Sequence, residues 1–168
     1  VRQSRAICGL AVERFLAERI DGMFAVAVWD EKKQAGLLAR DRVGKKPLYY
    51  WEHDGAIYYA SELKALLEVP GFDRRLNLRA LHHYLSYKHV PHPFTIFEDV
   101  KILPPAHRLF FEVGTPPRVE RYWQLSFAPS DEPIGDEEEV VDELITRLKP
   151  AVARRLVSDV PVGFFLSG

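Results

Sequence analysis

The dipeptide Ser167-Gly168 follows directly on an apolar run, residues 162–166, and at that junction residue types and spacing first suggest chemistry. A strand that runs straight into Ser-Gly can leave successive backbone N–H groups unpaired and pointing one way, which suits a phosphate. Taken alone, such a pair is most often an ordinary turn. Cys8 is the only cysteine, so no internal disulfide can form and a multi-cysteine zinc site is excluded. It could be a nucleophile, but beside Ile7, Gly9 and Leu10 it reads better as a small packed residue. His82-His83 and the pair His89, His92 have the side chains of metal ligands. Adjacent histidines on a helix point in different directions, however, and no carboxylate stands at a recognised spacing, so no metal site is expected. Ser61-Glu62 has the makings of a catalytic pair, yet helix capping accounts for it, and Lys64 at the third helical position removes even a capping box. The charged stretch 40–47 could hold an anion. The reading preferred is a strand connection in which Gly44 and Pro47 set the backbone and the charges are solvated.

These residues need elements to position them. The 168 residues suffice for one ordinary domain, or for one domain and the start of another. At 47% hydrophobic and 12% aromatic, the chain can bury a real core. A net charge of -1 removes the electrostatic case for a nucleic-acid or acidic-membrane partner. No apolar stretch approaches the roughly 20 residues that cross a bilayer, and residues 1–19 lack the continuous apolar segment of a secretory leader. A cytoplasmic protein is expected, and one whose two ends, Val1 and Gly168, are cuts through a longer chain.

Residues 11–20 place Val12, Phe15, Leu16 and Ile20 at helical spacing before Asp21-Gly22 breaks the pattern. The nearly continuous apolar runs 23–29 and 35–39, joined by a polar turn, predict a buried hairpin. A second, aromatic-rich hairpin is predicted from 48–51 and 56–60 around His53-Asp54-Gly55. Four strands in such close succession are expected to make one sheet. Ser61 is the expected cap of a short helix carrying Leu63, Leu66 and Leu67, and Asn77 the cap of a second over 78–87. Prolines 91, 93, 104 and 105 then break the chain into extended pieces, among them 108–113 and 119–125. Residues 128–135, rich in proline and without aromatics, read as a linker. Acidic residues 136–139 open an amphipathic helix whose buried stripe is Val140, Val141, Leu144, Leu148 and Val152, with Arg154 and Arg155 near its C-terminal end. A turn at 158–161 and a buried strand at 162–166 follow. Helix, turn, strand and Ser-Gly is the order in which a doubly wound nucleotide-binding domain begins.

As a set, three segments closely resemble the glutamine-hydrolysing asparagine synthetases: Gly22-Met23-Phe24-Ala25-Val26-Ala27-Val28-Trp29-Asp30, then Arg40-Asp41-Arg42-Val43-Gly44-Lys45-Lys46-Pro47-Leu48-Tyr49-Tyr50, then Ala60-Ser61-Glu62-Leu63-Lys64-Ala65-Leu66. Residues 90–97, Leu103-Pro104-Pro105, Arg121-Tyr122-Trp123 and Ser158-Asp159-Val160-Pro161-Val162-Gly163 look like the same family in the same order. The resemblance covers the chain from about residue 17 to its end.

It implies a partial α+β sandwich of the N-terminal-nucleophile type over residues 1–127, the linker 128–135, and the first helix and strand of an α/β pyrophosphate-loop domain over 136–168. In such enzymes a glutaminase domain releases ammonia from glutamine. A second domain activates aspartate as an adenylate with ATP and Mg2+, and ammonia arriving through a tunnel displaces AMP. The activation is needed because a carboxylate is a poor electrophile until its oxygen becomes a good leaving group. Implied partners are therefore glutamine, aspartate and ATP, and a homodimer is compatible. Phe165, Leu166 and Ser167 match positions beside the nucleotide, Gly168 starts the phosphate cradle, and Met23 matches a methionine near the tunnel. The family's nucleophile is a cysteine exposed as residue one of the mature protein. Val1 is not that residue, and Cys8 has no free amino group to serve as its base. No catalytic residue is therefore expected in this stretch, nor the loop's metal-binding aspartate, and the isolated chain should be inactive. Two alternatives stay open: a relative on this scaffold that amidates another acceptor or closes a β-lactam ring, and a noncatalytic interaction module.

Overall fold

The computed structural model describes residues 17–127 and 136–165. Contacts divide the chain into two units, Val1–Leu125 and Ser126–Gly168, and each is treated by itself. In the first unit, β1 (Ala25–Asp30) and β2 (Ala35–Arg40) pair antiparallel, with Ala25 opposite Arg40 and Asp30 opposite Ala35. Asp30 shapes the turn, its Oδ1 accepting from the N–H groups of Lys32 at 3.0 Å and Lys33 at 3.2 Å. β3 (Tyr49–His53) and β4 (Ala56–Ala60) form the second hairpin, with Asp54 and Gly55 at φ 48° and 72°, as a type I′ turn requires.

The two hairpins do not join into the single sheet expected from their succession. β2 takes β6 (His107–Glu112) on its other edge and β7 (Thr115–Arg121) follows, in the order β1-β2-β6-β7. β3 takes β5 (Val100–Ile102), in the order β4-β3-β5. Strand edges are thus filled by distant partners, because the connection from β2 to β3 carries the chain from one layer to the other. Leu38 of β2, Leu109 of β6 and Tyr50 of β3 meet Leu48 and Leu103 in one buried cluster, so the sheets share a core. Successive residues of a strand point to opposite faces. Ala39 therefore packs away from that core, against Phe24 and Ala17, and Trp51 packs with Leu66 and Val100. β2 is buried on both faces, which is why it reads as an unbroken apolar run.

Local chemistry sets the helix starts. α1 (Leu63–Leu66) begins one residue later than predicted: Glu62, not Ser61, occupies the cap position and is still extended at φ -133°, ψ 136°. Glu62 makes no side-chain cap bond and instead pairs with Lys64 at 2.6 Å. α2 (Leu78–Tyr87) starts as expected, Asn77 Oδ1 accepting from the Ala80 N–H at 3.0 Å. Of the helix predicted over 11–20, residues 17–19 are helical and most of the remainder lies outside the described residues. β7 begins at Thr115 and ends at Arg121, earlier at both ends than predicted, and holds Pro116 and Pro117. As the end strand of its sheet it tolerates residues without an N–H.

In the second unit, α3 (Glu137–Ala153) opens on Glu137, Glu138 and Glu139 as expected. Its predicted buried stripe is not buried. Val140 and Val141 are each 44% exposed, Leu144 60%, Leu148 55% and Val152 47%. An apolar stripe is covered only where another element supplies a facing surface, and α3 buries none of its residues. Residues 161–165 likewise form no strand. A strand needs a neighbour to take its N–H and C=O groups, and no described strand pairs with this segment. Among the described residues the structure displays an α+β domain with two antiparallel sheets, and none of them forms the nucleotide-binding layer expected after it. The linker prediction, 128–135, lies outside the described residues.

Candidate functional site

β2 runs out at Arg40-Asp41, and these two charged side chains are buried, 5% and 0% exposed. The expectation that the charges of this connection are solvated is thus wrong for its first pair, although Lys45 and Lys46 are exposed. The physical reason is main-chain accounting, since a tight buried turn leaves N–H and C=O groups that need partners. Asp41 Oδ1 accepts from the N–H of Lys45 at 2.9 Å and of Val43 at 3.3 Å, and Oδ2 accepts from Lys46 at 3.0 Å. Arg40 supplies the complementary donors: Nε to Lys46 O at 2.8 Å, Nη1 to Leu103 O at 2.7 Å, Nη2 to Gly44 O at 2.7 Å. Gly44, at φ 68°, must be glycine, because a Cβ there would stand 2.7 Å from Pro105 Cγ and 3.1 Å from the Arg40 guanidinium.

Main-chain bonds extend this hub. The Asp41 N–H donates to Phe24 O at 2.9 Å, and Asp41 O accepts from the Ala106 N–H at 3.0 Å. Tyr122 Oη donates to Arg40 O at 2.7 Å. Arg42 Nη2 donates to Glu18 O at 2.8 Å, and its guanidinium lies 5.7 Å over the Trp123 ring. The segments entering β1, leaving β2, entering β6 and leaving β7 are therefore tied at one point.

The electrostatics match a permanently charged scaffold. Burial works to raise the Asp41 carboxyl, but the N–H groups of Lys46, Lys45 and Val43, with the main chain at Phe24, outweigh it and hold the pKa below the ordinary value. Burial lowers Arg40 against the influence of Asp41 and Tyr49, and a guanidinium stays protonated regardless. Burial, with Asp41 nearby, pushes Tyr122 up to about 12, so its hydroxyl remains a donor. Both Asp41 oxygens accept from the main chain and Arg40 directs its fork at carbonyls, so the bonds of this pair hold backbone in place.

Met23 precedes Phe24, which the hub holds, and is 51% exposed. Phe165, in the second unit, is fully exposed, and Leu166, Ser167 and Gly168 lie outside the described residues, as do Val1 and Cys8. His82 and His83 have ring centroids 6.1 Å apart, and His89 and His92 6.2 Å. Among the described residues no group of three or more His, Cys, Asp or Glu is placed to hold a metal ion. Nor is any described helix long and apolar enough to cross a membrane. The site the sequence reading passed over is the hub itself. Its signal was an Arg-Asp pair placed directly after the most apolar strand, where a charge has no water to meet.

Residues 11–123 match the family of glutamine amidotransferase domains, a span that contains Arg40, Asp41, Gly44 and Tyr122. The chain belongs to this family. Over 152 residues the amidotransferase domain is 36% identical to the glutamine-hydrolysing asparagine synthetase 3 of Bacillus subtilis, covering 90% of this chain and 24% of that protein. Over 154 residues it is 34% identical to a putative glutamine-hydrolysing asparagine synthetase of Methanocaldococcus jannaschii, covering 90% and 29%. An amidase of Gibberella zeae is 34% identical over 148 residues, covering 88% and 22%. The chain thus spans about a quarter of the length of the curated relatives it matches.

Proposed function

We propose that this amidotransferase domain is the latter part of the glutaminase half of an asparagine-forming enzyme, with residues 136–168 opening the synthetase half. In this reading glutamine is hydrolysed to glutamate and ammonia, ATP activates the aspartate side-chain carboxyl with loss of pyrophosphate, and ammonia displaces AMP to give asparagine. The observation that carries it is the similarity over 90% of the chain to proteins named glutamine-hydrolysing asparagine synthetases. Those names favour aspartate over another acceptor. Magnesium accompanies ATP through the family resemblance alone. With Phe165 in solvent and no described cluster suited to a metal, no step is assigned to it.

The hub fits this reading as scaffold. It ties the Met23-Phe24 segment to the core while leaving Met23 open, as a residue beside an ammonia passage would need. The test uses the enzyme at the length of its relatives, supplied with ATP, aspartate and glutamine labelled on the side-chain amide nitrogen. Label recovered in asparagine supports the assignment, and label found only in free ammonia or in a different acceptor refutes it. On the same reading, in which the resemblance assigns the family's nucleophile to no residue here, the 168-residue chain alone should not hydrolyse glutamine. Sustained glutamate release by that chain would contradict the reading.

A further inference from the structure

The two sheets part at one end of their shared core, around a cavity of about 720 Å3. Alternate residues of a strand share a face, which puts Trp29 in line with Ala25 and Ala27, Gly36 with Leu38, and Phe111 with Leu109, on the side that looks into that core. Trp29 and Phe111 both stand opposite Gly36, one on each neighbouring strand. Because Gly36 carries no Cβ, the Phe111 ring lies across it, and the two aromatic rings stack with centroids 5.8 Å apart and planes 15° apart. A bulge in β6 between Phe110 and Glu112 leaves Phe111 without a partner on β7, an irregularity of the kind that re-aims a side chain. Trp29 remains 42% exposed, so the pair forms an open wall. Arg40 stands at the other end of β2, so the cavity is separate from the Arg40-Asp41 hub.

The facing sheet supplies charge. Glu52 shares the face of Tyr50 and pairs across the hairpin with Ile57, at a place where the core register calls for another apolar residue. Asp54, in the turn after β3, and Glu112, at the end of β6, bring further carboxylates to the lining. Among the described residues that line the cavity none is Lys or Arg. Lys101 meets Glu52 at 3.4 Å and His53 Nε2 meets Asp54 at 3.3 Å, whereas Glu112 makes no ion pair with a described residue. Sites for small molecules enclose roughly 300–1,000 Å3 and are mainly apolar with a few convergent polar groups, as here. Aromatic faces attract cations, as carboxylates do, and both repel an anion.

We propose that this cavity binds an organic ammonium ion with a flat apolar body, the body against Trp29 and Phe111 and the charge toward Glu52 and Glu112. The inference stands independently of the function proposed above. Equilibrium dialysis of phenethylammonium against the enzyme at the length of its relatives tests it. Saturable binding at one site per chain is expected, and hydrocinnamate, an anion of similar shape, should bind at least about tenfold more weakly. Glu52→Gln and Glu112→Gln are nearly isosteric changes at exposed positions. Each should weaken phenethylammonium about fivefold, and the two together at least about tenfold, while the neutral phenethyl alcohol changes by less than about twofold. Trp29→Leu should weaken the ammonium and the alcohol alike. An unchanged urea midpoint in the two glutamine variants shows that the fold is kept. No saturation below about 10 mM, as when another part of the enzyme fills the cavity, overturns the proposal. So does equal affinity for hydrocinnamate, or unchanged affinity for phenethylammonium when both carboxylates are replaced.

Discussion

Replacing Asp41 by Asn tests the hub directly, because the change is nearly isosteric and alters only charge and one acceptor. The carboxylate now accepts from three main-chain N–H groups, two on Oδ1 and one on Oδ2. An asparagine keeps a single acceptor oxygen. If that oxygen serves Lys45 and Val43, the new amide NH2 faces the Lys46 N–H, donor against donor, at a buried position. A hydrogen bond to a charged group contributes about 1.5–3 kcal/mol, and a stranded buried donor costs about 1–3 kcal/mol, so the expected loss is about 3 kcal/mol. In urea, at a slope of about 2 kcal/mol per molar, the midpoint should fall by about 1.5 M with the slope unchanged. Asp54→Asn is the control: that side chain is 87% exposed, and its loss should stay within about 0.5 kcal/mol. The acid limb gives a second reading. Because folding depresses the Asp41 pKa below its ordinary 3.8, the unfolded chain binds the proton first on acidification. The stabilisation is therefore complete above about pH 4 and lost as pH falls through the folded value. Asp41→Asn should flatten the stability profile in that window. A loss under about 1 kcal/mol at pH 7, or an unchanged acid limb, would refute the view that this carboxylate organises the connection.

Gly36→Ala should destabilise by about 2 kcal/mol in thermal or urea unfolding, since the Phe111 ring lies where the new Cβ must go. Adding Phe111→Leu should recover part of that loss, and strict additivity of the two changes would show that the ring is not the obstacle. Burial first, then Arg40, His89 and His107, disfavour the charged form of His92, so its folded pKa lies below the ordinary 6.5. Its contribution is present above about pH 6.5 and lost as pH falls from there through the folded value. The melting temperature should therefore drop on acidification from pH 7 to 5, less steeply in His92→Gln, and parallel profiles would exclude His92 as the cause.

Local chemistry was legible in the residues wherever neighbours in sequence supply the determining forces. Asn77 announces α2 because its side chain reaches an N–H three residues on. Asp54-Gly55 announces the hairpin because a type I′ turn needs two residues that accept positive φ. Glu137, Glu138 and Glu139 announce α3 by matching its N-terminal dipole. The misassigned single sheet, the late start of α1 and the early start of β7 all depend on partners far along the chain. Nothing near β3 in sequence says that β5 will take its edge, and nothing at Pro116 says that its side of β7 faces no strand.

The family relationship, the hairpins and the two longer helices follow from the amino-acid sequence alone, because motif order, periodicity and capping are read over a few residues at a time. Tertiary structure decided that the hairpins lie in opposite layers and that Arg40 and Asp41 are buried. It also decided that Leu78 and Leu85 of α2 and the stripe of α3 are exposed. Burial is a property of the surfaces that meet. The same apolar run is a core strand in β2, where two layers close over it, and an open stripe in α3, where none does.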